Sequence, residues 1–338
     1  MPWWRPPGAV VQDHDVGTRI LGVAAATAGV GLASAVYQSC AEARDRRRFP
    51  PPGRLVDIGG RRLHLWLVGE GNPPVVIVPA LGGTSLDWVG VQRALHPDPM
   101  VCLVDRAGLG WSDPGRWPRS LGDMADELHR ALEVAGVQPP YVLVGHSVGG
   151  LIARLYCARH PDHAAGLVLV DSSHEDQMQR LGRVDREAGA LRYLMRAGRK
   201  LAKPLGILRA GYDLGILRGL GHDAEQGIPP DLAEAAVALS LTARYHRASA
   251  QEMIGFVCGT AAVRREARTL GELPLTVITA GPRGRETWYS QWRELQEDLA
   301  TNLSEYATHL VEERSGHHVN RDSQDLVVQA IRELVTRV

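Results

Sequence analysis

Phenylalanine is nearly missing: the chain holds Phe 2 against Trp 8 and Tyr 8, so its large rings are mostly those with a polar handle. Cysteine is scarce as well. Cys40, Cys102, Cys157 and Cys258 stand far apart with no C-x-x-C pair, which argues against a zinc knuckle and against a dense disulfide framework. They read as free thiols, mostly buried. An excess charge of either sign is lacking, because Lys+Arg 38 balance Asp+Glu 38. No summed field therefore draws phosphate, and nucleic acid is disfavoured as a partner. There are no internal repeats and no low-complexity tracts. What is present is apolar surface: 44% hydrophobic residues with 22% charged are enough to offset chain entropy, so the chain reads as globular. At 338 residues it exceeds twice the common domain size of roughly 150, which implies one large domain with an insertion, or two domains.

The first fifty residues read as a separate object. Residues 20–37, ILGVAAATAGVGLASAVY, carry no charge and reach the lower length limit for crossing about 30 Å of hydrocarbon as a helix. A retained single-span membrane anchor is the leading reading of 1–49. A secretory signal cleaved near Ala33-Ser34-Ala35 and a soluble amphipathic or buried helix are the alternatives. Arg5 and Arg19 precede the span while Arg44, Arg46, Arg47 and Arg48 follow it, a bias that would keep the C-terminal body on the cytoplasmic side. FPPPG, from Phe49, reads as a stiff polyproline spacer separating the anchor from the body.

Beyond it, LVDIGG and RRLHLWLVG alternate across Gly59-Gly60, the pattern of a β-hairpin. Apolar runs without alternation come next at 75–78, 100–105, 141–145, 166–171 and 275–280, as buried parallel strands require. Helical patterns lie between them, opening near Ser85 and spanning 120–136, 148–160 and 285–300, with a last helix from Ser323. The class predicted is α/β, a mostly parallel twisted sheet with helices on both faces and ligands outside the carboxyl ends of the strands. About a hundred residues after Asp171 show no convincing strand, too many for a plain crossover. They read as an inserted helical cap.

Gly145-His146-Ser147-Val148-Gly149-Gly150 lies where the YVLV strand meets the LIARLYCARH helix. A serine on so sharp a turn needs neighbours without colliding side chains two before and two after it, and Gly145 and Gly149 meet that need. Its hydroxyl is a poor nucleophile until a base takes its proton. Ser315-Gly316-His317-His318, after a short strand THLVEE, supplies one, and His317 is preferred because it directly succeeds the glycine. The other histidines have blander readings, with His160 and His163 at a helix C-terminus and His129 on a solvated helix face.

On these residues the chain resembles the α/β-hydrolase superfamily, in its serine-esterase-like, lid-bearing branch, over about 52–338. DRAGLGWSDPG from Asp105 is similar to the loop after the fourth strand in many members, PALGGTSLDW from Pro79 to their oxyanion-hole loop, and LVLVDSSHED from Leu167 to their sixth strand and the segment behind it. The resemblance implies a core at 52–174 and 271–338 and a cap at 175–270. It also implies a catalytic triad of Ser147, Asp171 and His317, with the main-chain N–H groups of Leu81 and Val148 as the oxyanion hole. The family's usual His-Gly pair is replaced here by Pro79-Ala80, which leaves the geometry of that loop open. The loop after the seventh strand, AGPRGRETWYSQW, has no Asp, so Glu286 remains a candidate for the acid beside Asp171, as do Glu175 and Asp176, or no working acid. The implied activity is hydrolysis of a small-molecule carboxylic ester through an acyl-enzyme, with no metal or organic cofactor needed. A catalytically silent binding protein, an acyltransferase, a haloperoxidase-like enzyme and a peptidase are the alternatives. Trp88 and Trp111 are candidates to line an acyl pocket. Acyl length and oligomeric state are left open.

Overall fold

The computed structural model describes residues 14–184, 194, 196–198, 205–217, 227–283 and 288–338. Eight strands form one sheet in the order β1-β2-β4-β3-β5-β6-β7-β8: β1 (Arg54–Asp57), β2 (Arg62–Val68), β3 (Val75–Val78), β4 (Val101–Asp105), β5 (Tyr141–His146), β6 (Ala164–Val170), β7 (Leu275–Ala280) and β8 (Ala307–Glu312). β1 and β2 pair antiparallel across the glycine turn, and β2 joins β4 antiparallel. Every other pairing is parallel. The sheet is thus mostly parallel with an antiparallel entry, the architecture the apolar runs predict.

Those runs lack alternation because both faces of the sheet are covered. Val76, Val78, Cys102, Leu143, Leu167 and Val277 pack into one buried cluster with residues of α3 (Leu121–Ala135) and α4 (Val148–Arg159). Their chain neighbours Val75, Ile77, Val101, Val144, Val168 and Ile278 pack on the opposite face with α2 (Val89–Leu95) and the C-terminal helix. Local chemistry sets the helix ends. Ser120 accepts the Asp123 N–H while Asp123 answers the Ser120 N–H, and Gly136 closes α3 in the left-handed conformation, a reciprocal cap and a stop.

Between β6 and β7 lie α5 (Gln177–Val184), α6 (Leu205–Asp213), α7 (Ala233–Ser240) and the long α8 (Ala243–Glu266), with no strand among the described residues. After β7 come α9 (Tyr289–Asn302), α10 (Val319–Asp322) and α11 (Gln324–Arg337).

The N-terminal helix, α1 (His14–Arg48), has two unlike halves. Leu21, Val23, Val30, Leu32 and Val36 are each more than half exposed. This is the one helix among the described residues long and apolar enough to cross a membrane, a test a signal sequence also passes. Its second half is fastened to the helices between β6 and β7. Tyr37 donates to Asp213 at 2.8 Å, Gln38 donates to the Leu241 carbonyl at 2.8 Å, and Glu42 accepts the Ala243 N–H at 2.8 Å. Asp45 pairs with Arg209 at 2.5 Å. The expected spacer therefore does not hold anchor and body apart: the polar residues that end α1 find partners on the inserted helices, and the Phe49 carbonyl accepts from Trp111 Nε1 at 2.9 Å.

Two smaller expectations also change. All four cysteines are free, but Cys40 and Cys258 are exposed and only Cys102 and Cys157 are buried. His129 is half-buried rather than solvated, because its ring stacks on that of His160 with centroids 3.7 Å apart.

Candidate active site

β5 ends at His146 and α4 starts at Val148, which leaves Ser147 alone to make the turn. Its backbone is held at φ 53°, ψ −124°, a region a residue with a side chain enters only when its surroundings force it. The enforcing contacts are close. A Cβ on Gly145 would meet Gly150 Cα at 2.5 Å, and one on Gly149 would meet the Val78 carbonyl oxygen at 2.2 Å. The Ser147 N–H donates to the Val170 carbonyl at 3.2 Å, and its own carbonyl accepts from Gly150 and Ser173, both at 2.9 Å. The residue is 8% exposed, at the positive end of α4.

Asp171 comes directly after β6, the neighbour of β5, also at positive φ, 40°. It is fully buried. Its Oδ1 accepts from the Ala280 N–H at 3.0 Å and from Trp292 Nε1 at 2.8 Å. Its Oδ2 lies 2.6 Å from His317 Nδ1. A carboxylate in that place makes Nδ1 the protonated nitrogen of a neutral imidazole, leaving Nε2 free to accept. His317 is brought to the elbow through its neighbour there: His146 Nε2 donates to the His317 carbonyl at 2.8 Å, and the two rings stand 4.9 Å apart. Burial, with the His317 and His318 charges adding to it, pushes the His146 imidazole well below its usual value. It is a neutral strut.

The loop from Pro79 lies between the elbow and the segment after β4. A cavity of about 340 Å³ opens beside it, lined by Leu81, Trp88, His146, Leu208, Tyr245 and His318 among others. A second, of about 520 Å³, lies at the foot of α1 against Phe49, Trp111 and Leu239. The two tryptophans thus line separate cavities. Val148, the first residue of α4, has an N–H that no carbonyl of its own helix can accept.

The rival acids are otherwise placed. Glu175 is gripped by Arg154 at 2.6 and 3.1 Å. Burial alone would raise its carboxyl, and the arginine holds it down at about 2. Asp176 pairs with Arg264. Glu286 lies outside the described residues. Among the described residues no cluster of His, Cys, Asp and Glu is arranged to hold a metal ion.

Sequence reasoning missed the roles of five residues here. Trp292 reaches Asp171 from a helix 121 positions later. Buried His64 pairs with Asp105 at 2.8 Å, and Asp105 Oδ1 accepts the Ser85 N–H at 2.6 Å. Burial would raise the Asp105 carboxyl, yet the His64 hydrogen bond and charge bring it below the usual range. Arg106 and Glu252 meet beneath the Pro79 loop. The only sequence signal for any of these was the DRAGLGW motif, which marks Asp105 and Arg106 without naming a partner.

Residues 73–197 match the family model described as the alpha/beta hydrolase fold. A probable transporter, efuK, of Hormonema carpetanum is 40% identical over 129 residues, 36% of this chain and 18% of that protein. A putative carbamate hydrolase, RutD, of Cronobacter sakazakii is 37% identical over 103 residues, 30% of this chain and 38% of that one. The chain spans less than half the length of the curated relatives it matches. Among solved structures, a thermophilic esterase from Thermogutta terrifontis superposes with a TM-score of 0.60 at 20% identity, over 82% of this chain and 94% of that one. By sheet order, by the matched segment and by superposition, the chain is an α/β-hydrolase-fold protein.

Proposed function

We propose that the protein is a serine hydrolase that cleaves a small-molecule carboxylic ester, with Ser147 as nucleophile, His317 as general base and Asp171 as the acid that orients it. The observation that carries this reading is the 2.6 Å contact of His317 Nδ1 with Asp171 Oδ2, beside a serine held in a strained turn. Ser147 Oγ attacks the ester carbonyl carbon as its proton passes to His317 Nε2. The charge that develops on the carbonyl oxygen is met by the Leu81 and Val148 N–H groups, donors worth about 3 kcal/mol each by mutational precedent. Collapse expels the alcohol, which takes the proton from His317. Water, deprotonated by the same imidazole, then releases the acid and restores the serine. Asp171 stays ionised and offsets the imidazolium charge.

The helices of 175–270 serve in this reading as a cap, and the strands and helices of 52–174 and 271–338 as the core. The exposed apolar half of α1 supports a retained membrane anchor, with the body carried on its second half. Full-length protein that stays with membranes after an alkaline wash agrees with an anchor, and release into the soluble fraction counts against it. For the chemistry, a fluorophosphonate probe should label the wild type and spare Ser147→Ala. A folded wild type that takes no label leaves a silent binding protein as the better account.

A further inference from the structure

The buried pair Arg106 and Glu252 has no part in the proton relay, yet its contacts converge on the loop that carries Leu81. Arg106 is 4% and Glu252 0% exposed. Arg106 Nη1 donates to the Pro79 carbonyl and Nη2 to the Ala80 carbonyl, each at 2.7 Å. Arg106 Nε and Nη2 grip Glu252 at 2.7 and 2.9 Å. Glu252 Oε2 also accepts the Gly82 N–H at 2.9 Å. Two carbonyls and one amide of four consecutive residues are therefore fixed by one ion pair. Burial would raise the Glu252 carboxyl, and the Arg106 charge and hydrogen bonds override this and hold it below the usual carboxylate range.

The geometry of the peptide unit gives this a consequence. In a trans peptide the C=O and the next residue's N–H point in opposite directions from one plane. Fixing the Ala80 carbonyl on Arg106 fixes the Leu81 N–H pointing away from it, and a donor aimed before the reaction costs no reorganisation when charge develops. Glu252 belongs to α8, one of the helices between β6 and β7. The same helix touches the loop again nearby, because a Cβ on Gly82, at φ +69°, would meet Ser249 Oγ at 2.9 Å.

We infer that Arg106 and Glu252 are positioning residues of the oxyanion hole, and that α8, through them, sets the rate of the chemical step as well as covering the sheet edge. The inference rests on the serine-hydrolase reading above. A clamp on the hole acts on the tetrahedral adduct and not on the bound ester, so it should alter kcat rather than KM.

The test uses the full-length chain in detergent, with Glu252→Gln, which keeps shape and an acceptor but loses the charge. A short p-nitrophenyl ester reports kcat and KM. A trifluoromethyl ketone reports the hole: Ser147 Oγ adds to its carbonyl carbon, the proton goes to His317, and the alkoxide sits where the ester oxyanion would. In Glu252→Gln with a wild-type circular dichroism spectrum, kcat should fall about ten- to hundredfold with KM within about twofold, and the ketone's inhibition constant should rise by the same factor. Arg106→Lys, a point charge that cannot grip two carbonyls and a carboxylate together, should do the same and decides the matter if the glutamine variant does not fold. A folded variant with unchanged kcat, or one whose kcat falls while ketone binding stays as in the wild type, overturns the inference. A wild type that neither turns over the ester nor takes a fluorophosphonate removes the parent reading and this one with it. Labelled, active wild type beside an unaffected Glu252→Gln removes the clamp alone.

Discussion

The two sides of the candidate site are built differently. On the base side, Asp171 and His317 each come directly after a strand or a short loop at the sheet edge, and their alignment needs the backbone of β7 and one indole. On the oxyanion side, the Pro79 loop leaves β3 directly after Val78 and is then held from outside, by an arginine after β4 and a glutamate on α8. In the proposed site the strand ends carry Ser147, Val148 and Asp171, with Trp292 in support, while side chains from distant segments hold the loop that carries Leu81. A base side fixed by backbone should tolerate change in the surrounding helices, whereas an oxyanion side fixed by a buried ion pair should register any shift of α8.

That contrast can be broken in graded steps. Asp171→Asn should be the most damaging change on the base side. It leaves the shape but favours the wrong tautomer of His317, so turnover of a p-nitrophenyl ester should fall by about 10³–10⁴-fold, while Glu286→Gln should do little. The reverse pattern would move the acid to Glu286. Trp292→Phe removes one donor to a charged acceptor that keeps its others, and should cost about tenfold in kcat, in line with about 1.5–3 kcal/mol for such a bond at most. A loss as large as that of Asp171→Asn would mean that the backbone does not hold the carboxylate by itself.

The smallest expected effect belongs to His146, which stands between the halves, its ring 6.0 Å from that of Trp88 on one side and 4.9 Å from that of His317 on the other. Its imidazole lies below the ordinary value of 6.5 in the fold, so on acidification the unfolded chain takes a proton that the fold refuses. Its contribution is complete above about pH 6.5 and is lost as pH falls below it. Thermal unfolding of wild type and His146→Gln between pH 5 and 7.5 should show a steeper acid loss in the wild type. Parallel curves would mean that His146 takes its proton without disturbing the fold.

Legibility in the sequence divided along the same line. Placements that come from local backbone geometry were readable: the serine on its tight turn between Gly145 and Gly149, the histidine on the loop after the last strand, and β7, whose observed bounds are those of its apolar run. Asp171 was readable as a position at a strand end, and became distinct from Glu175 only once Arg154 was seen to occupy the latter. The clamp was not readable, because Arg106 and Glu252 are 146 positions apart and a single ion pair leaves no periodicity in either segment. The docking of α1 was hidden for a related reason. Its polar end looks like the flank of a membrane span until the partners Asp213, Leu241 and Ala243 are in place.

The account stands most directly on an acyl group found on one oxygen. After rapid mixing of the full-length protein with a p-nitrophenyl ester and acid quench, peptide mass spectrometry should find the acyl mass on the peptide bearing Ser147, formed together with a burst of p-nitrophenol and missing from Ser147→Ala. Turnover with no burst and an acyl mass on another residue, or undiminished hydrolysis by Ser147→Ala, would contradict it.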